Sequence, residues 1–120
     1  MKRILVVDDS KVVLEACRVA LEGAGFWVRC IQSASFSLQE AEELRPDLAL
    51  IDVVLPGSMS GDSLARFMRL VSDGFPVLLF SDMEEDELRA RAAEAGAQGY
   101  VRKAWGMREL VKRVTAVIGE

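Results

Sequence analysis

The feature that most constrains this chain is an alternation. Five short apolar runs, Ile4–Val7, Phe26–Ile31, Leu48–Ile51, Pro76–Phe80 and Gly99–Arg102, are each followed by a stretch with helical spacing. The runs are short and mostly continuous, the pattern of parallel strands covered on both faces. In the first helical stretch Val13, Ala16, Cys17, Ala20 and Leu21 recur on one side, and Lys11, Glu15, Arg18 and Glu22 share the other. Leu64, Phe67, Met68 and Val71 repeat the pattern in the third helix; Leu110, Val111, Val114, Val117 and Ile118 do so in the fifth. Gly23 and Gly25 punctuate the end of the first helix and Gly96 that of the fourth, while Pro46 ends the second and Pro76 opens a strand. A βα unit repeated in this way predicts an α/β domain over residues 1–120. Its sheet is five-stranded, parallel and doubly wound, with right-handed crossovers and helices on both faces.

Composition narrows the chemistry. With 51% hydrophobic and 28% charged residues, the 120-residue chain can bury one core and stay soluble, which excludes disordered and disulfide-stapled classes. The 19 acidic and 15 basic side chains give a net charge of −4, and there is no long basic block. Direct contact with nucleic acid or an anionic membrane is therefore not expected. The absence of histidine removes the commonest acid–base catalyst and metal ligand. Cys17 and Cys30 lie outside any metal spacing and read as small apolar residues in a reducing compartment. The apolar run of four after Met1-Lys2-Arg3 is too short for a signal segment or membrane span, so the cytoplasm is the expected location.

In doubly wound sheets ligands collect beyond the carboxyl ends of the strands. There the sequence places Asp8-Asp9 after strand one, Asp52 after strand three, Ser81 after strand four and Arg102-Lys103 after strand five. Three converging carboxylates repel one another unless a cation joins them, and a hard divalent ion, Mg²⁺ above all, suits oxygen ligands. With the Lys103 ammonium and the Ser81 hydroxyl, such an ion describes a cradle for a phosphoryl group. Asp52, at the end of the expected central strand, is the best-placed nucleophile for an acyl phosphate.

These residues carry a resemblance. Ile4-Leu5-Val6-Val7-Asp8-Asp9-Ser10, Pro46-Asp47-Leu48-Ala49-Leu50-Ile51-Asp52 with Pro56 beyond it, Phe80-Ser81 and Tyr100-Val101-Arg102-Lys103 make the chain similar to receiver domains of bacterial two-component response regulators, in the chemotaxis-regulator style. The resemblance implies a flavodoxin-like (βα)5 fold with strand order 2-1-3-4-5. It implies a phosphoacceptor signalling domain rather than a turnover enzyme. Asp52 would accept phosphate from a sensor histidine kinase or phosphotransfer protein. Asp8, Asp9 and Asp52 would bind Mg²⁺ together with the backbone carbonyl of Val54. Ser81 and Lys103 would hold phosphoryl oxygens, and Ser81 and Tyr100 would report the phosphorylated state to a downstream protein through the face of helix four, strand five and helix five.

The sequence also departs from that family. Ala104 follows Lys103 where a proline with a cis bond is usual, so either a strained cis peptide is retained or, as the cost of such a bond favours, a trans bond shifts Lys103. Asp82 stands beside Ser81 where a small residue is usual and could either repel a phosphoryl donor at the mouth of the site or point to solvent. The loop Gly57-Ser58-Met59-Ser60-Gly61 is one residue longer than the common form and is expected to alter the start of helix three and the Val54 carbonyl. Val54 and Met83 stand at positions that flank the phosphoryl group in that family, where apolar groups cannot orient water, and the resemblance thus implies a slowly hydrolysing phosphoryl-aspartate.

Quieter readings stand beside these. Asp9 or Ser10 could cap helix one, Ser81-Asp82 could cap helix four, and Tyr100 could be a packing residue. Glu84-Glu85-Asp86-Glu87 suits the first turn of helix four. Arg102, Trp105, Met107 and Arg108 read either as a partner surface or as an arginine beside a packed tryptophan. A receiver-like module that binds partners without phosphorylation is the alternative function. An aspartate-nucleophile phosphatase of the haloacid-dehalogenase type is more remote, because it needs an aspartate where Ser10 stands.

Overall fold

A computed structural model describes residues 1–55, 60, 63–66 and 74–119. Its parallel strands are β1 (Arg3–Val7), β2 (Trp27–Ile31), β3 (Leu48–Asp52), β4 (Val77–Ser81) and β5 (Gly99–Arg102). The helices are α1 (Lys11–Gly23), α2 (Ala34–Leu44), a helical stretch at 63–66 (α3), α4 (Glu85–Ala95) and α5 (Met107–Ile118). Strand order is β2-β1-β3-β4-β5, as expected. The lengthened loop, apart from Ser60, and most of the third apolar stripe, including Phe67, Met68 and Val71, lie outside the described residues.

Period-two alternation divides each strand between two cores. Ile4, Val6, Leu48, Leu50, Leu78, Phe80 and Val101 pack with Leu14, Cys17 and Leu21 of α1 and with Leu110 and Val114 of α5. Their neighbours Leu5, Val7, Ala49, Ile51, Val77 and Leu79 face the other way, against Ala41 and Leu44 of α2, Leu64 and Ala65 of α3, and Leu88, Ala92 and Ala95 of α4. Both faces are covered, so β3 and β4 are buried throughout and read as continuous apolar runs.

Two details correct the sequence reading. Leu14, rather than the small Ala16 and Ala20, forms the buried stripe of α1 with Cys17 and Leu21. Strands β3 and β4 each extend one residue further than expected, so Asp52 and Ser81 belong to the ladder itself. The glycine at the end of α4 does what its position suggested: Gly96 caps the helix at φ 73°, a left-handed conformation that costs side-chain-bearing residues.

Strand order determines where a site can form. The chain passes from β1 to β2 on one side and then returns to β3 on the other. The residues after β1 and β3 therefore flank the crevice where the winding reverses.

Candidate functional site

Asp8 follows β1 directly, and its backbone N–H donates to the Ile31 carbonyl at 3.1 Å, continuing the β1–β2 ladder. Its side chain is fully buried. Oδ1 accepts from the Ser10 N–H at 2.9 Å, a local turn that aims the carboxylate back over the strand ends. Ser10, not Asp9, is the N-cap of α1, accepting from the Val13 N–H at 3.2 Å. Asp9 is thereby left exposed, with its carbonyl held by Gln32 Nε2 at 3.1 Å. Asp52 is 5% exposed, and its Oδ1 accepts from the Val54 N–H at 3.1 Å. Ligand oxygens of Asp8, Asp9 and Asp52 all lie within 4.8 Å of one another.

One cation answers two of these charges. Lys103 Nζ lies 2.8 Å from Asp8 Oδ2 and 3.1 Å from Asp52 Oδ2. It also sits 5.4 Å from the centre of the Phe80 ring, which walls the ammonium on its apolar side. Burial pushes the Asp52 carboxyl above the usual aspartate value, against the opposing pull of the Val54 N–H and Lys103. Burial acts on Lys103 in the downward direction, yet its hydrogen bonds to Asp8 and Asp52 outweigh that and hold it above the usual lysine value.

The expected displacement of Lys103 does not take it out of the cluster. Among the described residues every peptide bond is trans, that before Ala104 included, and a 3-10 turn at Lys103–Trp105 carries the chain from β5 toward α5. Lys103 is placed by the strand that precedes it, in register beyond Ser81↔Arg102, rather than by the residue that follows. Asp82 is exposed and is not one of the three carboxylates that converge.

Ser81 is 4% exposed, and its Oγ accepts from the Met83 N–H at 3.1 Å. It does not cap α4, whose N-cap is Glu84 with no side-chain cap bond. Val54 leaves its side chain 66% exposed beside Asp52, and Met83 is half-buried. Tyr100 is half-buried with its hydroxyl turned to the first turn of α4: it donates to Glu85 Oε2 at 2.9 Å and accepts from Arg89 Nε at 3.1 Å. Sequence reasoning missed these two partners, and also missed Gln32 and Leu14. Gln32 could have been suspected from its place at the end of β2.

The side chains of Arg102, Trp105, Met107 and Arg108 have different surroundings. Arg102 turns toward the loop after β4, Trp105 and Met107 pack on the α1–α5 core, and Arg108 is exposed. Arg113 lies 4.4 Å over the Trp105 ring, the arginine-beside-tryptophan arrangement supplied by a different arginine.

The oxygen-only donor set fits a hard divalent ion. Asp8 Oδ2 supports the fit, since it is fully buried and shares its counter-charge, the Lys103 ammonium 2.8 Å away, with Asp52. Residues 4–115 match the response regulator receiver domain family. The chain is 39% identical over 115 residues to the DNA-binding response regulator MtrA of Mycolicibacterium smegmatis, covering 96% of this chain and 50% of that protein. It thus spans about half the length of the curated relatives it matches. Among solved structures it is similar to the chemotaxis protein CheY4 of Vibrio cholerae, with TM-score 0.89, 26% identity and 98% of each chain covered. It is likewise similar to a CheY-like receiver domain protein from Methanospirillum hungatei, with TM-score 0.87, 28% identity and coverage of 97% of this chain and 92% of that one. The fold and the acidic cluster define a phosphoacceptor signalling module. The chain belongs to the response regulator receiver domain family of two-component signalling.

Proposed function

We propose that Asp52 is the phosphoacceptor, loaded by a sensor histidine kinase or phosphotransfer protein in an Mg²⁺-dependent reaction in the cytoplasm. The observation that carries this reading is the buried Asp52 carboxylate, joined to Lys103 and within 4.8 Å of ligand oxygens of Asp8 and Asp9. Asp8, Asp9, Asp52 and the Val54 carbonyl would hold the ion. When bound, Mg²⁺ supplies positive charge that neutralises the transferring oxygens and the crowded carboxylates.

The chain's own residues do the rest. The Val54 N–H fixes Asp52 Oδ1 and Lys103 steadies Oδ2, so the carboxylate is held ready for in-line attack. A new O–P bond forms at Asp52 as the P–N bond to the donor imidazole breaks. Lys103 then follows the charge from carboxylate to phosphoryl oxygen, and the Ser81 hydroxyl donates to a second oxygen. The donor docks beside Ser10 and Val13, where Val12 of α1, 80% exposed, offers apolar contact. Tyr100 responds to Ser81 and passes the change to a downstream protein through α4, β5 and α5.

Incubation with Mg²⁺ and acetyl phosphate, followed by intact-mass measurement, tests the reading. Wild type gains one phosphoryl group, and Asp52→Asn gains none. No gain in wild type would leave a phosphorylation-independent interaction module. Because Val54 and Met83 offer no group to orient water, the phosphoryl-aspartate persists for minutes or longer in the isolated domain; decay within seconds contradicts this.

A further inference from the structure

Arg102 is the register partner of Ser81 across the β4–β5 ladder, yet its side chain does not run on with Lys103 toward the carboxylates. Its guanidinium reaches across to the loop that follows Ser81. Nε donates to the Met83 carbonyl at 2.9 Å and Nη2 to the Asp82 carbonyl at 3.3 Å, with Glu84 Oε1 4.0 Å away. The same loop residue, Met83, gives its N–H to Ser81 Oγ at 3.1 Å. Arg102, the Asp82 and Met83 peptides and the Ser81 hydroxyl thus form one closed circuit. A hydroxyl that accepts the Met83 N–H through a lone pair keeps its own proton to donate. The direction in which it donates depends on where Met83 sits, and Met83 is held both by the Arg102 bond to its carbonyl and by its side chain's packing on the core. A planar guanidinium can meet two neighbouring carbonyls at once, which a lysine ammonium does with less directional control.

We propose that Arg102 is a positioning residue for phosphoryl transfer: it ties the loop after β4 to β5 and so holds the Ser81 hydroxyl in the seat from which it meets a phosphoryl oxygen. This rests on the reading of Asp52 as phosphoacceptor. Arg102 does not touch the reacting atoms; it acts through Ser81. Without it, the loop must be ordered anew in each transfer, and the Ser81 contribution is lost to that cost.

The test is a cycle of Arg102→Ala, Ser81→Ala and the double variant, reading the initial rate of phosphoryl uptake from acetyl phosphate with saturating Mg²⁺. Arg102→Ala slows uptake about tenfold, as loss of charged hydrogen bonds predicts. Mg²⁺ affinity stays at the wild-type value, and Arg102→Lys regains part of the rate. In the Ser81→Ala background the Arg102→Ala change has less than about a twofold effect, because the two act as a unit. Equal rates in Arg102→Ala and wild type overturn the proposal, as does a tenfold loss of the same size in both backgrounds. If Arg102→Ala does not fold, Arg102→Lys carries the same cycle. A wild type that takes up no phosphoryl group is a different failure, that of the phosphoacceptor reading itself.

Discussion

Asp52 meets two conflicting demands. As the proposed phosphoacceptor it would have to be ionised to attack, yet it is 5% exposed, and burial favours its neutral form. Lys103 and the Val54 N–H offset part of that cost and a divalent ion would offset more. Asp52→Asn therefore raises the melting temperature in metal-free buffer by a few degrees, and added Mg²⁺ narrows the gap by stabilising wild type alone. Cys17 offers a cleaner titration. Burial first, and then the Asp8 charge, push its thiol from 9.0 to about 12, so the folded chain prefers the neutral form. The stability this contributes is complete below pH 9.0 and is lost as pH rises toward about 12. At pH 8 a thiol reagent modifies Cys17 only through global unfolding, measurable as a labelling rate that follows urea concentration. At this scale the acidic residues and Lys103 were legible as a set, because three carboxylates and an ammonium delivered to one sheet edge point to binding there more than any one of them does alone. The tie made by Arg102 was not, because its partners are backbone carbonyls that no sequence displays.

Helices and strands followed their periods closely, and their misreadings have local causes. The α1 stripe was read from spacing alone, yet Leu14 takes the buried position because it lies three and seven residues from Cys17 and Leu21 and fills more volume than alanine. Leu14→Ala removes that volume from a packed face and costs about 2–5 kcal/mol in urea unfolding. Val12→Ala, on the 80% exposed side of the same helix, changes stability by less than about 0.5 kcal/mol. At the end of α4, a Cβ on Gly96 meets no neighbour, so only the positive φ opposes substitution. Gly96→Ala then costs about 1 kcal/mol, and Gly96→Asn less, by the same measurement. The choice of Ser10 over Asp9 as the α1 cap could not be read from residue preference, since both are good caps. It follows from Asp8, whose side chain claims the Ser10 N–H and fixes the turn.

For the whole molecule, an ion held by the acidic cluster of Asp8, Asp9 and Asp52 would couple its binding to folding in a chain of net charge −4. Mg²⁺ at a hundredfold excess over its dissociation constant stabilises the domain by about 2.7 kcal/mol if it binds the folded state alone. A titration followed by thermal melting checks this, and Asp9→Asn, which alters an exposed carboxylate of the cluster without opening the core, weakens the response. Among the described residues no helix is long and apolar enough to cross a membrane. The sequence by itself determined the alternation of strands and helices, the two-faced burial of the sheet and the residue types delivered to its carboxyl edge. Each of these follows from local periodicity and short-range turns, which a linear chain carries in plain order. Tertiary structure alone decided which groups meet: that Lys103 reaches Asp8 and Asp52 despite Ala104, that Asp82 stays outside, and that Arg102 holds the loop of Ser81. Those contacts span strands brought side by side by the sheet, and their geometry is set by register and burial rather than by distance along the chain.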